Sequence, residues 1–262
     1  MTDNRHAAAL TYTSYLALDE VLAAQRPRSE DHDEMLFIVI HQVYELWFKQ
    51  LLHELSGLQR RMENADTPHS IRTLRRILTI LKVVVAQIDV LETMTPRQFT
   101  SFRARLEASS GFQSSQFREL EATLGRRERS VLENYPEDSD ARKRIEEAMS
   151  RPSLFDSFLT YLAAHGYSMP RDRDITATLE PSLEVQRELL QVYADDSGPS
   201  TVAELMVDLD EGLQEWRYRH VKMVERTIGS KTGTGGSAGA AYLRTTLFKP
   251  LFPDLWAVRS EL

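Results

Sequence analysis

The chain has 262 residues, a formal net charge of −7 and no cysteine. The acidic balance, without any long basic run, argues against a nucleic-acid surface. Without cysteine the chain can form no disulfide, thiolate-ligated haem or iron–sulfur cluster. No apolar run approaches the ~18 residues of a membrane-spanning helix, and the polar start MTDNRH does not resemble a signal peptide. We therefore expect a cytoplasmic globular protein that binds neither nucleic acid nor membrane.

The N-terminal segment, residues 1–28, carries apolar residues at helical spacing over 10–25. Two tyrosines, Tyr12 and Tyr15, precede them on an otherwise polar terminus. Taken alone, these side chains are typical of aromatics that pack against their own chain.

A long helix is predicted after the sequence SEDHDE, where Asp31 and Glu34 have the spacing of a capping box. His32 lies among these carboxylates, but no second histidine stands at a metal-ligand spacing such as i+4, so simple capping is favoured over a metal site. Farther along, Phe37 and His41 are one turn apart and share a face, where they would line one pocket. A satisfied interior histidine is the alternative interpretation of His41.

Two more helices begin at proline-containing signals. Thr67, followed by proline, opens an apolar helix that belongs to the core, and Thr95 with Gln98 forms a capping box for the short helix TPRQFTSFRARL. On that short helix Phe99 and Arg103 lie one turn apart. A snorkelling or salt-bridged surface arginine is one interpretation of Arg103, and a guanidinium that binds a substrate carboxylate is the other.

The block SSGFQSSQFRELEATLG predicts a turn at Gly111 and a helix that ends at Gly125, with Arg118 as a second candidate anion binder. Residues 126–200 are charged and predict a helical excursion. Its helices are expected near 138–149, 153–165 and 180–195.

The C-terminal stretch AYLRTTLFKPLFPDLWAVRSEL packs aromatics between two prolines and is predicted to close the core. No strand-like alternation of useful length occurs in the chain. The fold class is therefore predicted to be all-α, with residues 1–262 forming a single helical-bundle domain.

The most informative stretch runs from Thr201 to Gly239. Thr201 with Glu204 predicts a helix start and Gly229 a helix stop, which gives one helix of about 28 residues. A stripe at three- and four-residue steps follows this helix and is interrupted by a single histidine: Leu209, Leu213, Trp216, His220, Val224.

His220 has two interpretations. It is either a core histidine hydrogen-bonded to a carboxylate or carbonyl, or an axial ligand to a metal or haem. The glycine-rich sequence SKTGTGGSAG that follows the helix favours the second, because its backbone N–H groups and small residues allow close approach of an anionic ligand. It is not a P-loop, since Lys231 precedes the glycines and the preceding element is a helix.

Four motifs resemble those of the tryptophan 2,3-dioxygenase family of haem enzymes. They occur in the family's order along nearly the whole chain: FIVIHQVYELWFKQLLHEL, LETMTPRQFTSFR, SGFQSSQFR and WRYRHVKMVERTIGSKTGTGGSAG. The resemblance implies haem b bound between helices, with His220 as the axial ligand of the iron and Trp216 and Gly235 beside the cofactor. Close relatives that catalyse a different reaction share much of this pattern.

The resemblance also implies roles around the substrate. His41 would meet the indole N–H, Phe37 and Phe99 would wall the ring, and Arg103 and Thr234 would hold the amino-acid group. Tyr12 and Tyr15 would reach into the active site of a neighbouring subunit, which requires a homo-oligomer, expected to be a tetramer.

The function implied is cleavage of the indole C2–C3 bond of L-tryptophan, or of a close indole amino acid, with O2 to give N-formyl-L-kynurenine. Two alternatives stay open: a haem monooxygenase that forms a 2-oxindole in specialised metabolism, and a non-enzymatic haem sensor or carrier. Ala238 and Ser115 depart from the usual family pattern, and either change could retune the loop beside the substrate.

Overall fold

The computed structural model describes residues 9–107, 109–170, 172–234 and 239–262. Among them it contains α-helices, short 3-10 turns and no β-strand, so the predicted all-α class is confirmed. The α-helices are α1 (Tyr12–Tyr15), α2 (Leu18–Leu22), α3 (His32–Glu63), α4 (Thr67–Leu91), α5 (Pro96–Arg103), α6 (Ser115–Thr123), α7 (Asp140–Ser150), α8 (Leu154–Ala164), α9 (Leu183–Ala194), α10 (Gly198–Ile228), α11 (Ala240–Arg244) and α12 (Pro253–Ala257).

Three long helices build the core. α4 packs along both α3 and α10, and α8 covers another part of α3. The side chains between them are fully buried, Leu58, Leu74 and Phe158 among them. α10 approaches α4 closely at Gly212, where a Cβ atom would lie 2.7 Å from Cδ2 of the buried Leu81.

Local signals mark most helix ends as the sequence predicts. The Thr95 hydroxyl and the Gln98 side chain cap each other's backbone at the start of α5. α10 ends before Gly229, whose φ of +62° lies in the region that favours glycine. The excursion helices α7, α8 and α9 lie within a few residues of their predicted bounds.

Two predicted helix starts are wrong in detail. Asp31 is the N-cap of α3, but its side chain makes no capping hydrogen bond. The Glu34 carboxylate instead accepts from the backbone N–H groups of Arg28 and Ser29, both at 2.8 Å, because the chain before the helix folds back over it. α10 begins at Gly198 rather than Thr201, since a proline suited to a first helical turn follows Gly198 directly.

The C-terminal segment closes the core, as predicted. Phe252 and Leu255 are fully buried in the main cluster. In the described part of the chain, no helix is both long and apolar enough to cross a membrane. The division of the chain as one domain, with an excursion at 126–200, stays a prediction.

Candidate active site

A cavity of about 240 Å³ opens between α3, α5, α10, α11 and the segment that leads into α6. Its walls bring together most of the predicted site residues: Phe37, His41, Phe99, Arg103, Trp216, His220, Thr234. Their α-helices come from distant parts of the chain, so the site depends on tertiary packing, in which α5 contacts both α3 and α10. Gly235 and Ala238 lie outside the described residues.

The stripe on α10 divides into two halves. Leu209 and Leu213 are buried in the core, whereas Trp216, His220 and Val224 are half-buried because they face the cavity. The helix therefore carries its apolar face from the core into the wall of the site.

His220 has an imidazole without a hydrogen-bond partner among the described residues. The Trp216 ring, one turn earlier, stacks on it with centroids 5.1 Å apart and an interplanar angle of 9°. Burial, with a contribution from nearby His41, lowers the pKa of His220 to about 4, so the ring is neutral near pH 7. The core-histidine alternative, which needs a carboxylate or carbonyl partner, finds none in this part of the structure. A neutral, unpartnered imidazole that faces a cavity is suited to bind a metal centre.

His41 differs because it has a local partner. Its Nδ1 atom lies 2.7 Å from the carbonyl oxygen of Phe37, and the two rings are 4.2 Å apart. Burial lowers the pKa of His41 and outweighs the opposing effects of this hydrogen bond and of Glu45. Since a carbonyl only accepts, Nδ1 carries the proton and Nε2 is left as an acceptor. The satisfied-histidine interpretation is therefore half right: one nitrogen is satisfied within the helix and the other remains available.

The aromatic wall continues from α3 to α5. Phe37 lies 5.7 Å, centroid to centroid, from Phe99, and Phe99 is buried. These rings form an apolar surface next to His41.

Arg103 and Thr234 join the glycine-rich loop to the region that follows α5. Arg103 Nη2 donates to the carbonyl oxygen of Thr232 at 2.6 Å. The Thr234 hydroxyl donates to the carbonyl oxygen of Ser109, also at 2.6 Å. Arg103 has no ion pair among the described residues, and its guanidinium contacts the loop instead. It holds the loop edge and retains further N–H donors.

A buried ionic cluster forms another part of the cavity wall, and sequence reasoning found only one of its members. Glu121 Oε2 accepts from Arg118 at 2.7 Å, and Glu121 Oε1 accepts from Arg217 at 3.0 Å and from Arg126 at 3.2 Å. Burial alone would raise the pKa of Glu121, but the three guanidinium charges outweigh it and lower the pKa. The spacing of Arg118 and Glu121 on α6 could have suggested their pairing, whereas Arg217 lies on α10, far away in sequence.

Four other residues that the sequence singled out lie away from the cavity. Tyr12 and Tyr15 are 75% and 72% exposed, so the interpretation that they pack against their own chain is wrong. Ser115 is the first residue of α6, and its hydroxyl contacts Arg144. It does not line the cavity, contrary to the expectation that it lies beside the substrate loop. His32 is exposed, and no group of three metal-ligating side chains occurs among the described residues.

Comparison with known proteins identifies the family of this chain. A family model described as tryptophan 2,3-dioxygenase matches residues 2–171 and 183–262. The chain therefore belongs to the tryptophan 2,3-dioxygenase family.

Individual relatives cover the whole length. A tryptophan 2,3-dioxygenase of Anaeromyxobacter dehalogenans (strain 2CP-C) is 65% identical over 100% of both chains. Proteins of the same name from Herpetosiphon aurantiacus and Caulobacter vibrioides are 56% and 44% identical and cover 97% and 98% of this chain. They in turn are covered over 99% and 100% of their own length.

Proposed function

We propose that this chain is a haem-dependent tryptophan 2,3-dioxygenase, which cleaves the indole C2–C3 bond of L-tryptophan with O2 to give N-formyl-L-kynurenine. The observation that carries the proposal is the unpartnered, neutral imidazole of His220, which faces a cavity shared with His41 and Arg103. Relatives named for this activity match the chain from end to end.

The cavity suits haem b on three counts. His220 offers a free nitrogen that would hold the haem iron, and apolar side chains such as Leu91 and Met223 line the walls. Two arginines of the ionic cluster, Arg118 and Arg217, line the same cavity and would face the carboxylate groups of the macrocycle. Trp216 would pack beside the axial ligand through its stack with His220. When bound, haem supplies the site at which O2 is activated.

His41 would orient the substrate through a fixed tautomer. Because Nδ1–H donates to the Phe37 carbonyl, Nε2 is free to accept the indole N–H. The lowered pKa keeps the ring neutral near pH 7, so this acceptor is present when the substrate arrives. Phe37 and Phe99 would wall the indole on its apolar side.

Arg103 and Thr234 would hold the amino-acid end. A guanidinium donates two parallel hydrogen bonds to a carboxylate, and the donors of Arg103 not used by the Thr232 carbonyl are available for this. The Thr234 hydroxyl, now bonded to Ser109, lies on the same cavity wall. Holding both the indole and the amino-acid end would limit movement of the substrate in the cavity, which would favour complete ring cleavage over early release.

The N-terminal segment, residues 1–28, would complete the site of a neighbouring subunit in a homo-oligomer, a tetramer in our proposal. Exposed aromatic side chains at Tyr12 and Tyr15 support this, because large apolar groups left in water are suited to an interface. The proposal also places the protein in the cytoplasm.

The test is one incubation of the reduced, haem-loaded protein with L-tryptophan under isotopically labelled O2, followed by mass spectrometry of the product. Two labelled oxygen atoms in one product support the dioxygenase. One labelled atom together with a requirement for an external reductant would instead support the oxindole-forming monooxygenase. Haem binding without any product would support a sensor or carrier.

A further inference from the structure

Glu121 is a buried carboxylate shared by three arginines from separate places in the chain. It is only 5% exposed and lies on α6, as does Arg118, whereas Arg217 lies on α10 one turn before His220. Arg126 lies in the loop after α6 and has a second carboxylate partner, Glu128, at 3.0 Å. Arg118 and Arg217, which line the cavity, make no ion pair except with Glu121 among the described residues.

The two cavity arginines use few of their donors in these contacts. Arg118 donates to Glu121 through Nη1, and its guanidinium lies 4.8 Å from the centroid of the Phe112 ring. Arg217 donates to Glu121 through Nη2 and makes a longer contact of 3.5 Å with the carbonyl oxygen of Lys249. Because a guanidinium has five N–H donors, both retain donors for a ligand.

The two cavity arginines bind different oxygens of the Glu121 carboxylate. Oε2 accepts from Arg118, and Oε1 accepts from Arg217. A glutamine at this position has one acceptor oxygen and one NH₂ group, so one arginine would face a donor instead of an acceptor. The two positively charged guanidinium groups would also lose the negative charge of the carboxylate between them. The orientation of at least one guanidinium therefore depends on the carboxylate.

We propose that Glu121 is a positioning residue, which fixes Arg118 and Arg217 in the orientation that receives the carboxylate groups of the haem. This inference rests on the proposed function, because it takes haem as the ligand of the cavity. Glu121 does not bind the haem carboxylates itself; its own charge repels them. Its effect acts through the two arginines.

The competing view is that Glu121 only stabilises the fold as part of a buried ion network. A second view is that its negative charge opposes the haem carboxylates, in which case removing that charge would strengthen binding. Haem dimethyl ester separates these possibilities, because it has the same macrocycle and iron but no carboxylate charge.

The experiment measures the rate at which haem and haem dimethyl ester are lost from the full-length protein to excess apomyoglobin. It compares the parent with Glu121→Gln and with the control Glu54→Gln. Glu54 is 7% exposed and paired with Arg76 at 3.2 Å, but it lies outside the cavity. The control therefore removes a buried, arginine-paired charge that has no access to the ligand.

We expect Glu121→Gln to lose haem about tenfold faster than the parent, since hydrogen bonds between charged groups are among the stronger polar contacts. Loss of the dimethyl ester should be the same as in the parent, and Glu54→Gln should change neither rate. Equal acceleration for haem and its ester would overturn the inference in favour of a structural role. Unchanged or slower haem loss in Glu121→Gln would overturn it as well.

Glu121→Asp provides a second variant that keeps the charge and both acceptor oxygens but withdraws them by one methylene. It is expected to lose haem faster than the parent, again without an effect on the ester, and it carries the comparison if Glu121→Gln does not fold. A parent protein that retains neither porphyrin would defeat the proposed function itself. If the parent retains both porphyrins and the Glu121 variants lose each of them at the rate of the parent, only the role of Glu121 is refuted.

Discussion

Asp210 joins the long helix α10 to the C-terminal segment, and its removal has a calculable cost. The carboxylate is 0% exposed. Its Oδ2 atom accepts from the backbone N–H of Leu251 at 2.7 Å, the backbone N–H of Phe252 at 3.0 Å and the indole N–H of Trp256 at 2.9 Å. The segment that carries these donors comes after α11, where Tyr242 and Leu243 line the cavity.

Asp210→Ala would leave these three donors without an acceptor. At about 1 to 3 kcal/mol for each of the two buried backbone N–H groups, the loss is ~2 to 6 kcal/mol, which is a large part of the stability of many domains. The part-buried indole N–H of Trp256 can reach water and adds less. Asp210→Asn keeps an acceptor oxygen but loses the charge, and charge-assisted hydrogen bonds are about twice as strong as neutral ones. We therefore expect Asp210→Asn to cost about 2 kcal/mol and to lower Tm by roughly 4 to 8 °C.

The assay is urea and thermal unfolding of the purified protein at one fixed concentration. The matched control is Asp208→Asn, on the same helix and with the same change of charge but exposed to solvent. It should differ from the parent by less than about 0.5 kcal/mol. If Asp210→Ala unfolds within about 1 kcal/mol of the parent, the three hydrogen bonds do not hold the C-terminal segment in place.

Three further predictions concern the site. His220→Ala should lose haem. The control His53→Ala, which changes an exposed histidine on α3, should keep it. An unchanged ferrous spectrum in His220→Ala would contradict the role of His220 as the iron ligand. Arg103→Ala should leave haem content intact but weaken amino-acid binding by about 2 to 5 kcal/mol, measured as a rise in KM, and an unaltered KM and kcat would remove it from the site. The pKa of Glu121 is lower in the folded chain than its ordinary value of 4.5, so the stability it contributes is complete above that value and is lost as pH falls through the folded-state pKa. Urea midpoints of the parent and Glu121→Gln should therefore keep a constant difference from pH 7 down to about 4.5 and converge only at lower pH. A difference that begins to shrink well above pH 4.5 would refute this.

Local features were predictable from the sequence because they depend on neighbours within a turn or two. The capping box of Thr95 and Gln98 and the glycine stop at Gly229 are formed by residues at most four positions apart. The pairing of Phe37 with His41 has the same origin, since the i to i+4 spacing of a helix puts both on one face. The resemblance to a known family then supplied roles that spacing alone left open, as for His220.

Where the sequence failed locally, a competing contact was the cause. Glu34 had the spacing of a capping box, yet its carboxylate bonds to the backbone of Arg28 and Ser29 before the helix. Tyr12 and Tyr15 had the composition of packing aromatics, but nothing in their own chain covers them among the described residues. Helical spacing predicts which residues share a face of the helix, but it does not predict which other part of the protein, or solvent, that face contacts.

Contacts between distant residues were decided only by the tertiary structure. Arg217 and Glu121 are 96 positions apart, and Asp210 and Trp256 are 46 positions apart. A charged residue on a helix can face water or a partner with the same local sequence, because the free energy of burying it depends on what the neighbouring element provides. The sequence by itself determined the helices and the position of His220 on a face of α10. The packing of α3, α5, α6 and α10 determined that this histidine, the aromatic wall and the arginine cluster surround one cavity.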